Sequence, residues 1–180
     1  MKSSYVNADI NYGDILSSIA FTQVPRTVVE IGILDGFSLE KLVQATGPTT
    51  KIMAYDIFDE FNGNSANMEE LQNKFKNHSR VEIQYGDFYN LNNIIDGNLD
   101  IIHIDIANDG HVYKFAVEKY MSLLSRKGIL VLEGGSRERD EVEWMKRYEK
   151  PPIAEYLKTL TAPHRTLGKF PSITMIKNEK

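Results

Sequence analysis

The chain has 180 residues, 42% hydrophobic and 26% charged, and no cysteine. Cysteine-ligated zinc, iron–sulfur clusters, thiol nucleophiles and a disulfide framework are therefore excluded; a chain of this size buries roughly 68–70% of its unfolded surface and needs no such staple. With 21 basic and 25 acidic residues the net charge is −4, interspersed without a basic block. That argues against nucleic acid, because neutralising phosphates takes clustered Lys and Arg. The length suits a single domain over residues 1–180. The opening MKSSYVNADINYG lacks the apolar core of a signal peptide, and no run approaches the ~18–20 apolar residues that cross a bilayer. The expectation is a cytoplasmic protein with no membrane partner.

In chain order, Ile15, Leu16, Ile19 and Ala20 share one face of a helix over 12–21. A strand at 27–31 follows, then a helix over about 38–46 that turns Leu39, Leu42 and Val43 inward and stops at Gly47-Pro48. A second strand, 51–55, leads through the polar loop FDEFNGNSAN to a helix at 66–77, a strand at 80–85, a short helix near 90–95 and a strand at 99–105. Tyr113, Ala116, Val117, Tyr120, Met121 and Leu124 repeat at three and four, predicting a long helix ended by Lys127-Gly128, with a strand at 129–132 beyond it. The first, fourth and fifth strands are nearly all apolar, as strands covered on both faces are.

The last third carries a charged helix at 138–149, Pro151-Pro152, a second short helix and two strands, HRTLG and SITMIK. Only Lys169, Phe170 and Pro171 separate those strands, too few for a helical crossover, so they pair antiparallel. The predicted fold is α/β: a Rossmann-like, doubly wound, seven-stranded mostly parallel sheet with helices on both faces and a C-terminal antiparallel hairpin, its last strand beside the fifth.

Ligands of such sheets bind beyond the carboxyl ends of the strands, at the point where strand order reverses. In VVEIGILDGFSL, Gly32 and Gly36 bracket a strand-to-helix turn that lets a ligand approach backbone N–H groups at a helix start. A dinucleotide fingerprint needs GxGxxG, whereas here the spacing is GxxxG with Leu34 at the middle glycine. Asp56 ends the second strand, where an acid can accept hydrogen bonds from ribose hydroxyls. Asp87 in QYGDF follows the third, where it or a neighbouring N–H could meet an adenine edge with Phe88 against the ring. Each acid alone also suits a helix cap or solvated loop; three successive strand ends together favour a nucleoside site.

The order VVEIGILDGFSL, Asp56, GDF, LDIIHIDIANDGHVY and RKGILVLEGG resembles the class I S-adenosylmethionine-dependent methyltransferases over about residues 12–135. The nearest branch is the small-molecule O-methyltransferases of the catechol and macrolide-sugar type. The resemblance implies S-adenosylmethionine as cofactor and a small, hydroxylated molecule as acceptor. By it, Glu30, Gly32, Gly36 and Ser38 hold the methionine end, Asp56 the ribose with Ile57 beside it, and Asp87 with Phe88 the adenine, while Asp105 closes the fourth strand in the same site. Where metal-dependent members carry Asp-Asn after the fifth strand, this chain has Glu133-Gly134, which leaves Asp105 and Glu133 as weak candidate ligands and puts Mg²⁺ in doubt.

His111, beyond the fourth strand at the start of the long helix, is the expected base, with Asp105 assisting. His103 reads as a satisfied core histidine, His78 and His164 as surface residues, and Asp109 as a helix cap. Trp144 and Tyr148 read as packing, and RERDEVE as a solvated helix face. Acceptor recognition falls to residues 1–14, the loop 57–66 and the segment 134–153. Two other readings stay open: a nicotinamide-dependent oxidoreductase, which lacks GxGxxG, and a non-catalytic nucleoside-binding module that uses its last helices to bind a partner. The acceptor's identity and any homo-oligomeric state are not legible in the sequence.

Overall fold

The computed structural model describes residues 11–60 and 64–178, so residues 1–10 and 61–63 of the expected recognition segments lie outside the described residues. Asn11 accepts from the Asp14 N–H and starts α1 (Tyr12–Gln23). There follow β1 (Thr27–Ile31), α2 (Phe37–Ala45), β2 (Lys51–Asp56), α3 (Met68–Phe75), β3 (Val81–Tyr85), α4 (Phe88–Leu91), β4 (Leu99–Ile104) and α5 (Gly110–Tyr120). The last third holds β5 (Leu124–Glu133), α6 (Arg137–Asp140), α7 (Glu143–Arg147), α8 (Ile153–Thr159), β6 (His164–Gly168) and β7 (Ser172–Lys177).

The sheet runs β3-β2-β1-β4-β5-β7-β6. Strands β1 to β5 are parallel, and β7 runs antiparallel to both β5 and β6. The expected seven-stranded sheet and C-terminal hairpin are thus found, with SITMIK internal as its apolar residues require. Alternation divides the core into two layers. Val28, Ile101 and Val131 pack under α1 to α3 with Leu16, Leu42 and Phe75, while Val29, Ile102 and Leu132 pack under α4, α5 and α8 with Phe88, Tyr113 and Leu157.

Two elements depart from the sequence reading. The long helix ends at Tyr120 and a 3₁₀ turn over Met121–Leu123 follows, because Leu124 pairs with Leu99 and extends β5 toward the amino side. The charged helix over 138–149 is broken into α6 and α7, since Asp140 turns back to accept from the Ile153 and Ala154 N–H groups at the start of α8. Strand order reverses between β1 and β4, and the carboxyl ends of those two strands form the fork where the site is built.

Candidate active site

The loop after β1 is held by Asp56. One of its oxygens accepts from the N–H groups of Ile33 (2.7 Å) and Leu34 (3.2 Å); the other accepts from the Phe58 N–H (2.8 Å) and the Asn64 amide (2.7 Å). A carboxylate offers about four lone-pair sites, so Asp56 first of all shapes the cradle. Leu34 lies at φ 49 with its side chain 53% exposed: it adopts the left-handed conformation that the middle glycine of a dinucleotide turn takes without strain. Gly32, at φ 92, cannot be replaced, because a Cβ there would sit 2.1 Å from the Asp105 carbonyl oxygen. Gly36 caps α2 at φ 81 without a side-chain cap bond, and Asp35 Oδ1 accepts from the Phe37 N–H (3.1 Å) at the first helical position.

Glu30 and His103 pair in register across β1 and β4, on the sheet face that α1 covers, and both are wholly buried. Ser38 donates to Glu30 Oε1. His103 Nε2 lies 2.7 Å from the Tyr12 hydroxyl, and His103 Nδ1 lies 3.5 Å from Glu30 Oε1. Among the described residues, Glu30 Oε2 and His103 Nδ1 have no hydrogen-bond partner. A buried polar atom left unsatisfied costs about 1–3 kcal/mol, so two together need a reason beyond packing. His103 is therefore not the satisfied core histidine expected.

Asp105 follows on the same face. Its N–H donates to the Ile31 carbonyl (2.9 Å), while its carboxylate makes no hydrogen bond among the described residues. Burial raises its pKa to about 6; the nearby His103 pulls it back, and the Glu133 and Glu30 charges add to the rise. Burial, and then the Asp105 charge, push the Tyr12 phenol well above its ordinary range, so it stays protonated.

Glu133 ends β5, and Arg139 holds both its oxygens, at 2.7 Å and 2.8 Å. The same guanidinium donates to the Asn108 carbonyl and to the Met145 sulfur, and lies 5.3 Å from the Trp144 ring centre. Arg139 is 5% exposed, so RERDEVE is not simply a solvated face: one of its cations is the hub of segment 134–153. With Glu133 committed, the donor set does not fit Mg²⁺, and among the described residues no three metal-ligating side chains converge.

Asp87 caps α4, accepting from the Tyr89 N–H and the Asn90 amide. The Phe88 ring, 3% exposed, stacks on Tyr120 at 5.4 Å. From there the ring has no face left to lie on an adenine. Ile57, half-buried after β2, offers an apolar side chain instead. Asp109 accepts from the His111 and Val112 N–H groups as the expected cap, and the His111 side chain is exposed on the first turn of α5. Cavities of ≈ 440 and ≈ 620 Å³ lie elsewhere, between α1 and α2 and at the amino ends of β1 and β4. Unpartnered carboxylates, not depth, locate the site.

A family model described as a methyltransferase domain matches residues 29–133, from the middle of β1 to the end of β5. The chain belongs to this methyltransferase family. The fold agrees: an S-adenosylhomocysteine-bound methyltransferase of Podospora anserina superposes with a TM-score of 0.71 at 19% identity, over 100% of this chain and 80% of its own. An O-methyltransferase of Bacillus cereus in complex with S-adenosylhomocysteine gives 0.65 at 15% identity, over 96% and 83%. A Geobacter sulfurreducens methyltransferase gives 0.69 at 17%, over 96% and 81%. No curated protein matches.

Within the methyltransferase fold, the sequence reading had missed Tyr12 and Arg139. Tyr12 stands three and four residues before Ile15 and Leu16, on the helix face that packs inward, so its helical spacing was an available signal. Nothing in a run of alternating charges marks Arg139 as the one that is buried.

Proposed function

We propose that this methyltransferase moves the methyl group of S-adenosylmethionine to a small, hydroxylated acceptor. The observation that carries the reading is the pair of carboxylates at the β1/β4 fork, Glu30 and Asp105: among the described residues Glu30 Oε2 has no hydrogen-bond partner and the Asp105 carboxylate makes no hydrogen bond. Two carboxylates suit the ammonium and sulfonium of this donor and repel the pyrophosphate of a dinucleotide. Bound there, S-adenosylmethionine supplies an electrophilic methyl group on a positively charged sulfur.

Glu30 and Asp105 receive the ammonium, the first turn of α2 the carboxylate, Asp56 and Ile57 the ribose side, and Asp87 with the Phe88 N–H the adenine edge. What remains for the protein is to align the acceptor oxygen and remove its proton, and alignment supplies most of the rate. In this reading a ring nitrogen of His111 takes the proton and Asp105, the residue after β4, assists. Tyr12 and segment 134–153, ordered by Arg139, wall the acceptor side.

Methyl-labelled donor incubated with a panel of phenols, sugars and amines tests the reading, with label expected on an oxygen acceptor. His111→Ala should then lower kcat by about 10²–10⁴ with donor affinity unchanged. Label on nitrogen acceptors alone would refute the oxygen assignment, and an unchanged rate would remove His111 as base.

A further inference from the structure

Glu30 is a buried carboxylate whose only charged-capable neighbour in ion-pair range, among the described residues, is His103. Ser38 satisfies Oε1, and Oε2 has no donor. The other groups on this face, Asp105 and the Tyr12 phenol, cannot supply a positive charge. Among the described residues nothing donates to Oε2, which leaves it open to a ligand N–H group, and a cationic one suits a buried carboxylate.

The arrangement around His103 fixes which way its imidazole works. The Tyr12 hydroxyl lies 2.7 Å from Nε2 and fixes the ring so that Nδ1 is the nitrogen that faces Glu30, 3.5 Å from its Oε1. Ile101, two residues earlier on the same face, shows that an aliphatic side chain fills this layer well. Packing alone does not call for a histidine here.

We propose that His103 is a positioning residue of the methyl-donor site: held by Tyr12, it orients Glu30 so that Oε2 receives the donor's ammonium. This rests on the methyl-donor reading above. His103 touches neither the sulfur nor the acceptor, and acts through Glu30. The polar chain Tyr12–His103–Glu30–Ser38 thereby ties the first turn of α1 to the first turn of α2, the two helix starts that border the fork.

Two probes separate this role from a structural one: S-adenosylhomocysteine carries the ammonium, and 5′-methylthioadenosine keeps the nucleoside and thioether without the amino-acid end. In calorimetric titrations, His103→Leu should weaken S-adenosylhomocysteine by about ten-fold or more and leave 5′-methylthioadenosine within about two-fold. His103→Asn, whose amide can still donate toward Glu30, should restore most of the loss. Equal loss of both probes, or no loss of either, would overturn the proposal. Should His103→Leu fail to fold, Tyr12→Phe decides: it keeps the ring and removes the hydroxyl, and an unchanged affinity ratio between the probes would equally overturn it. A wild-type protein that binds neither probe would refute the donor reading itself, and the proposal with it.

Discussion

Arg139 grips Glu133 through two hydrogen bonds, Nε to Oε1 at 2.7 Å and Nη2 to Oε2 at 2.8 Å, with both side chains nearly out of solvent. The pair joins the end of β5 to α6, and through the Asn108 carbonyl to the loop that follows β4. Removing one partner leaves the other as an uncompensated buried charge. Arg139→Met should therefore cost about 3–5 kcal/mol and lower Tm by about 10 °C. A change below about 2 °C in a calorimetric scan would show that the pair does not organise segment 134–153.

The same contact bears on metal dependence. A carboxylate engaged bidentately by arginine has little left for a cation, and Asp105 alone is a weak Mg²⁺ site. Treatment with a chelator should leave turnover unchanged once an acceptor is known. Loss of turnover restored by Mg²⁺ would instead make Asp105 a ligand and require the Glu133–Arg139 pair to open.

Asp105 makes a pH prediction with a definite sign. Its carboxyl titrates near pH 6 in the folded chain against 3.8 as the ordinary value, so between these limits the unfolded chain binds fewer protons and stability falls as pH rises. Asp105→Asn removes that cost and should be more stable than wild type by about 2–3 kcal/mol at pH 8, the difference vanishing below pH ~4. Denaturant unfolding at pH 4 and pH 8 checks it, and equal stability at pH 8 would contradict it. A ligand ammonium placed against Asp105 expels the same proton, so S-adenosylhomocysteine affinity should rise with pH up to about 6 and then level. His103, Glu133, Glu30 and Arg139 set the field that Asp105 feels.

The sheet was legible because apolar runs such as 99–105 and turn signals such as Gly47-Pro48 state strand and helix limits locally. SITMIK also declared itself internal by composition. What escaped were properties decided by distant partners. Leu124 reads as the last residue of a helical stripe, and only its pairing with Leu99 makes it strand. Phe88 reads as a strand-end aromatic free to meet a ligand, but Phe115 and Tyr120, some thirty residues on, enclose its ring. Arg139 looks like any other charge in RERDEVE until Glu133 and Asn108 close around it.

Asp56 illustrates the same point for the site. Its place at the end of β2 marked it as a ribose ligand, yet both oxygens already accept from the protein. Asp56→Ala strips partners from three backbone N–H groups and should cost about 2–4 kcal/mol in denaturant unfolding as well as weakening S-adenosylhomocysteine. If affinity falls at full stability, Asp56 serves the ligand and not the loop.

The central claim is that the fork between β1 and β4 binds a cationic nucleoside donor. Calorimetric titration of the wild-type protein with S-adenosylhomocysteine, and separately with NAD, tests it most directly. The account predicts saturable one-to-one binding of S-adenosylhomocysteine, lost in Gly32→Val because a side chain there collides with the Asp105 carbonyl, and no binding of NAD. Binding of NAD with no response to S-adenosylhomocysteine would contradict it.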